Sequence, residues 1–194
     1  MLLNSIKMIL LSVCLVYLTS CSSSRNLISK DVYLANQDKF NPNTNIYYGS
    51  SISIIPNVFG GGFYMAELRL RFEKDGNFEA WLISTDYTGE KWMFVNKIKF
   101  IVNDDFYNFE TMPEPNRKVG TLLGDSYVSE GNFFIITPKF CNAVLVANKM
   151  SIRLIGKDIY RDYDFSKEEI QKLKNFITYI TTKVSTKMNK LNSD

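Results

Sequence analysis

Apolar and polar residues alternate along the first part of the chain with the two-residue period of half-buried β-strands. The segment 65–72 shows this most clearly, because its even-numbered residues are apolar while Glu67, Arg69 and Arg71 occupy odd positions. Asp75-Gly76 predicts a tight hairpin turn into the next strand, 77–84. Comparable patterns predict further strands over 47–55, 92–102, 106–110, 119–123, 126–136 and 151–155.

Two helical patterns occur in the last third of the chain. Pro138 can begin a buried helix that continues to Met150, because the first turn of a helix needs no N–H donor at that position. Ser166 and Glu169 have the spacing of a capping box, and apolar residues then recur at helical spacing to Met188. The predicted fold is α+β: a mainly antiparallel curved sheet or open barrel, with one buried short helix and a long C-terminal amphipathic helix packed on it.

The folded part is predicted to be a single globular domain over 46–194. Residues 22–45 are polar and have few periodic apolar positions, so 21–45 is predicted to be a flexible tether. Its sequence allows a short strand near 32–35.

The N-terminal segment has the pattern of an export signal. Lys7 precedes an apolar run of 11 residues, Met8–Leu18. This run is too short to cross a bilayer as a helix, which takes about 20 apolar residues. Its length fits the apolar region of a secretory signal peptide, but no A-x-A-like cleavage site follows.

The sequence Leu18-Thr19-Ser20-Cys21 instead resembles the lipobox of bacterial lipoproteins. The resemblance implies that the Cys21 thiol carries a diacylglyceryl group and that the Ser20–Cys21 bond is cut, so that 1–20 is a signal peptide. The implied partner is the membrane, reached through the N-terminal lipid. An aspartate directly after the lipidated cysteine is the familiar signal for retention in the inner membrane. Because Ser22 stands there instead, the cell outer membrane is favoured if the cell has one. The alternative to the lipobox is a plain secretory signal peptide.

The mature domain also resembles uncharacterised exported bacterial proteins, and that resemblance implies no activity. It is carried by Trp92-Met93-Phe94, Ser129-Glu130-Gly131, Ile152-Arg153-Leu154-Ile155-Gly156 and Phe165-Ser166.

Composition excludes several kinds of chemistry. The chain has no histidine, which removes Ser–His–Asp and Cys–His catalysis and His-ligated metals. Its net charge is +3 and no basic cluster stands out, so a nucleic-acid partner is not expected. Of the 3 cysteines, Cys14 would leave with the signal and Cys21 would carry lipid. Cys141 would then be the one free thiol, and we interpret it as a core residue.

Carboxylates are the remaining candidates for chemistry. Asp104-Asp105, with Asn103 or Asn108, could hold a cation, but the spacing favours a solvated turn. A second acidic group could hold a metal and consists of Asp158, Asp162 and Asp164. A catalytic carboxylate pair could come from a set of glutamates: Glu67, Glu73, Glu79, Glu110 and Glu130. Cross-strand ion pairs with Arg69 and Arg71 are our interpretation of Glu67 and Glu79.

Arg153 lies in an otherwise apolar strand, where it could point outwards or pair with a carboxylate such as Glu130. Gly60-Gly61-Gly62 lacks the spacing of a phosphate-binding loop. Several aromatic residues could line a groove, although core packing explains most of them: Tyr47, Tyr48, Phe59, Phe63, Tyr64, Trp81 and Trp92.

From these features we expect a non-catalytic binding or envelope-structural module that needs no cofactor or metal, with an envelope protein or a ligand as its partner. Two alternatives stay open. One is a glycan hydrolase that uses paired carboxylates about 5–10 Å apart. The other is a carrier that holds a small apolar ligand inside the curved sheet.

Overall fold

The computed structural model describes residues 26–35, 44–54, 64–113, 115–122 and 125–185. The lipobox, the glycine triplet at 60–62, Phe59 and Phe63 lie outside these ranges.

The described residues form two antiparallel sheets and two helices. The strands are β1 (Asn26–Ser29), β2 (Val32–Leu34), β3 (Thr44–Gly49), β4 (Ile52–Ile54), β5 (Tyr64–Asp75), β6 (Phe78–Gly89), β7 (Lys97–Val102), β8 (Asp105–Glu110), β9 (Asn116–Leu122), β10 (Asp125–Ile135), β11 (Met150–Ile155) and β12 (Tyr160–Asp164). The helices are α1 (Pro138–Leu145) and α2 (Lys167–Tyr179), and a π-helical turn, Ile180–Val184, extends α2.

Within the described ranges, the larger sheet has eight strands and the smaller has four. The larger follows the order β1-β2-β3-β5-β6-β10-β9, with β4 paired to β5 beyond the end of β3. The smaller follows the order β12-β11-β7-β8. The sheets are curved but not closed, so the prediction of an α+β fold with an open antiparallel sheet is confirmed.

One continuous core joins both sheets and both helices. The inward residues of β5 belong to this core, and the ring of Phe72 meets that of Trp81 on β6 edge to face, at 4.8 Å between ring centroids. Trp81 in turn meets Phe176 of α2, and Phe100 of the smaller sheet meets Phe140 of α1. The face of β5 that the alternation predicts to be apolar is therefore the core face.

The capping box at the start of α2 forms as its spacing predicts. The Ser166 hydroxyl accepts from the Glu169 N–H, and the Glu169 carboxylate accepts from the Ser166 N–H. Phe165 and Ile170, on either side of this cap, are both buried. Helix α1 is shorter than predicted, because it ends at Leu145 instead of Met150, which begins β11.

The sheet begins earlier along the chain than the predicted boundary at residue 46. Strands β1 and β2 lie within 26–34, inside the predicted tether, and Val32 has no exposed surface. The Asp31 carboxylate fixes this hairpin, because it accepts from the Ser50 hydroxyl at 2.9 Å and from the Asn175 amide of α2 at 2.9 Å. Short strands with few apolar residues give little periodic signal, although 32–35 showed one.

The predicted long strand 92–102 is split in the structure. Its second half is β7, but residues 92–96 form an irregular connection between the two sheets. Phe94 has φ +54°, in the left-handed region that a phenylalanine rarely adopts. This conformation turns Met93 and Val95 into the core and leaves Phe94 39% exposed. An unbroken strand over 92–102 would instead place Phe94 on the same face as the buried Ile98 and Phe100.

Candidate functional site

The connection 92–96 closes around a buried carboxylate. Glu130 lies on the inward face of β10 and has no exposed surface. Its Oε1 accepts from the backbone N–H groups of Met93 at 2.6 Å and Phe94 at 2.8 Å, and its Oε2 accepts from that of Val95 at 3.1 Å. Successive N–H groups around a left-handed residue form a concave anion-binding nest. Here the occupant of the nest is a side chain of the same protein.

Arg117 completes this arrangement from the neighbouring strand. It lies directly opposite Glu130 in the β9–β10 register, and its Nε is 3.9 Å from Glu130 Oε2. Its guanidinium also lies 5.0 Å from the centre of the Phe94 ring. The arginine thus supplies positive charge to the carboxylate and covers the exposed aromatic ring at the same time.

The other side of the connection is held by the turn after β11. The Met93 carbonyl accepts from the Lys157 N–H at 3.1 Å. A Cβ atom at Gly156 would lie 2.0 Å from the same carbonyl oxygen, so only glycine fits there. Residues 93–95 are therefore clamped between the two sheets, through their N–H groups on one side and the Met93 carbonyl on the other.

This arrangement favours a structural role for Glu130. Its carboxylate is removed from solvent and accepts hydrogen bonds from the backbone N–H groups of residues 93–95. The prediction of Glu130 as a partner for Arg153 is wrong, because Glu130 is held by the nest and its nearby cation is Arg117. Arg153 points outwards and pairs with a different carboxylate, that of Asp162. Sequence reasoning missed the nest, although the inward position of a lone glutamate in β10, between Val128 and Phe134, was a usable signal.

Arg153 lies on the solvent-facing side of the smaller sheet. It forms a two-pronged ion pair with Asp162 of β12, with N–O distances of 2.5 and 2.6 Å, and stacks over Tyr160 at 4.3 Å. The hydrogen bond from Arg153 lowers the pKa of the Asp162 carboxyl below its usual value. Both side chains are about half exposed, so the pair contributes little to stability.

The two acidic groups do not gather around a cation in the described residues, where no cluster of three or more potential ligands occurs. Asp164 accepts from the Ser151 hydroxyl across the β11–β12 pair. Asp104 lies in the turn between β7 and β8, next to Asn103 at φ +54°. The Asn103 side chain accepts from the backbone of Asn148 and Lys149, which gives it a role in the turn.

The glutamates are distributed over different faces, and each has a structural partner. Glu67 pairs with Arg69 two residues along its own strand, and Glu73 pairs with Arg71 in the same manner, so the predicted cross-strand pairs with these arginines are wrong. Glu79 does pair across the hairpin, with Lys74 at 3.6 Å, and Glu110 pairs with Lys97. None of these contacts builds the two-carboxylate cleft that a glycan hydrolase would use.

Cys141 lies within α1 and has no exposed surface. Burial raises the pKa of its thiol to about 12, so the reactive thiolate form is suppressed at neutral pH. The interpretation of Cys141 as a core residue agrees with this placement.

The candidate aromatic groove is divided between the core and the surface. Tyr47 packs against Phe72 in the core, and Trp92 is half-buried beside Phe94. Tyr48 lies on the outer face of the larger sheet, under the guanidinium of Arg71. A small cavity of about 10 Å³ is lined by Ile54, Met65, Ala66, Tyr87, Met93, Leu154 and Arg161. It is far smaller than the roughly 300–1,000 Å³ of ligand pockets and gives no support to the carrier alternative.

Comparison with known proteins gives no relative, since no family model, curated protein or solved structure matches the chain. No helix in the part of the chain that the structure describes is long and apolar enough to cross a bilayer.

Proposed function

We propose that this protein is a lipid-anchored bacterial lipoprotein whose domain serves as a non-catalytic binding or structural module of the cell envelope. The observation that carries the proposal is the apolar run Met8–Leu18 followed at once by the lipobox ending at Cys21. Length, position and motif agree with each other. In this proposal the Ser20–Cys21 bond is cut and Cys21 becomes the first residue of the mature protein.

In this proposal the lipid supplies the main membrane affinity. Each buried methylene contributes about 0.8 kcal/mol, and a single acyl chain gives only marginal, reversible binding. A diacylglyceryl group brings two chains to one residue, and an acyl group on the Cys21 amine would bring a third. The anchor would therefore hold the domain stably at the membrane.

The non-catalytic part of the proposal is supported by how the reactive groups are used. Burial suppresses the thiol of Cys141 as a nucleophile, and the buried carboxylate of Glu130 is held by the backbone N–H groups of residues 93–95. Histidine is absent from the whole sequence. These groups stabilise the domain, and a binding or structural role is the function that fits them.

Metabolic labelling with palmitate tests the anchor. Wild-type protein should incorporate the label and sediment with membranes, and Cys21→Ala should lose both properties. Cys14→Ala is the matched control, because it removes a cysteine within the apolar run and should leave labelling unchanged. If Cys21→Ala still takes up palmitate and stays with membranes, the anchor proposal is wrong.

The location and partner are tested on native membranes. Since Ser22 follows the lipidated cysteine, the protein should appear in the outer-membrane fraction of a cell that has one. Pull-down of the lipidated protein through a range of detergent strengths, followed by mass spectrometry, should recover a specific envelope partner. Recovery of none at any strength would count against the binding role.

A further inference from the structure

The first described strand lies very close, along the chain, to the proposed anchor. Four residues separate Cys21 from Asn26, where β1 begins. Five Cα–Cα steps span at most about 18 Å even when fully extended. Because β1 is the edge strand of the larger sheet, this edge must stay within that distance of the lipidated residue.

The same edge exposes apolar side chains. Leu27 is 63% exposed and Ile28 is 37% exposed, although most apolar residues of the described sheets are buried. An irregularity in the β1–β2 pairing between Leu27 and Ser29 leaves Ile28 outside the ladder. Lys30, in the turn that follows, is exposed as well. Two apolar side chains beside a cation suit a bilayer surface, where apolar groups contact the acyl chains and a cation contacts the headgroups.

We propose that the β1–β2 edge of the larger sheet docks on the lipid bilayer, with Leu27 and Ile28 entering the interface and Lys30 meeting anionic headgroups. The inference rests on the proposed lipid anchor, which fixes the edge near the membrane. The short chain connection selects a lipid surface as the occupant. The anchor and this edge then form one continuous membrane contact, and the opposite edge of the sheet, at β9, faces away.

A site-specific fluorophore can measure this contact in the full lipidated protein. Leu27→Cys introduces one labelling site, since Cys141 is fully buried and the Cys21 thiol would carry lipid. Val119→Cys is the matched control, because Val119 is 70% exposed and lies on β9. Six strand spacings separate β1 from β9, roughly 29 Å along the sheet at about 4.8 Å each.

Both labelled proteins would be inserted into vesicles of phosphatidylethanolamine and phosphatidylglycerol that contain a headgroup-linked quencher. The label at residue 27 should be quenched several-fold more strongly than the label at residue 119, and its emission should shift to the blue. Flotation of the vesicles, measured in parallel, reports the anchor independently of the docking.

The outcomes separate the two proposals. If both proteins float with the vesicles and the two labels are quenched equally, docking of this edge is wrong and the anchor stands. If neither protein floats, the anchor is wrong and the docking fails with it. If the label at residue 27 escapes the lipid quencher, and the unlabelled Leu27→Cys protein instead forms a disulfide with a second copy at residue 27, the edge is a protein contact and the lipid assignment is overturned.

Discussion

Removal of the buried carboxylate by Glu130→Ala should strongly destabilise the domain. The substitution leaves three N–H groups of the connection 93–95 without their acceptor, two of them in fully buried residues. Each buried donor that loses its partner costs about 1–3 kcal/mol, and breaking a buried charged interaction costs about 3–5 kcal/mol in all. We therefore expect a loss of about 3–5 kcal/mol in the free energy of unfolding.

Glu130→Gln refines the expectation, because it keeps the shape and removes the charge. One amide oxygen can still accept, whereas the amide nitrogen would face an N–H donor. The two hydrogen bonds kept by the oxygen weaken by about 1 kcal/mol each, and the third N–H loses its acceptor at a cost of about 1 kcal/mol or more. A loss of about 3 kcal/mol is therefore expected, at the low end of the range for Glu130→Ala. Glu110→Ala is the control, because its carboxylate is 78% exposed and its ion pair with Lys97 is worth less than about 1 kcal/mol.

Urea unfolding of the protein that begins at Ser22 measures all three variants. Trp81 is buried in the core and Trp92 lies at the start of the connection 92–96, so their fluorescence reports both regions. The midpoint should fall for Glu130→Ala and less for Glu130→Gln, at a constant slope. If Glu130→Ala is no more destabilising than Glu110→Ala, the nest does not hold the two sheets together and the reasoning is refuted.

Three other expectations address the packing of the same domain. Gly156→Ala should lower the thermal midpoint by several degrees, because the added Cβ would overlap the Met93 carbonyl oxygen; an unchanged midpoint would contradict this close approach. Ser166→Ala should cost about 1 kcal/mol in urea unfolding through loss of the helix cap, and Ser166→Asp should retain most of the stability. Cys141, with a thiol pKa of about 12, should react with a thiol reagent at pH 8 roughly 10³-fold more slowly than after unfolding, and rapid native labelling would show that the thiol is accessible.

The elements with strong periodicity could be predicted from sequence, and the elements shaped by tertiary contacts could not. The alternation in β5 and the Ser166 cap of α2 act locally, so their residues specify them directly. The pattern at 92–102 looked like one strand, but the hydrogen bonds to Glu130 stabilise a left-handed Phe94 and break it. The local sequence around Phe94 cannot predict that contact, because Glu130 lies 36 residues after Phe94 in the chain.

The candidate site divides in the same way. The absence of histidine limits the chemistry through composition alone, and the burial of Cys141 agrees with its interpretation as a core residue. Which cation meets which carboxylate depends on strand register, so the partners of Arg153 and Glu130 became clear only from the fold. The early edge strand β1 also escaped prediction, and it is this strand that brings the sheet next to the proposed anchor.

The mass of the N-terminal peptide of the mature protein tests the central proposal most directly. The protein would be extracted from membranes, digested and analysed by tandem mass spectrometry. We predict that the first residue is Cys21 and that it carries a diacylglyceryl group on its sulfur. An N-terminus at any other residue, or an unmodified Cys21, would contradict the lipid anchor.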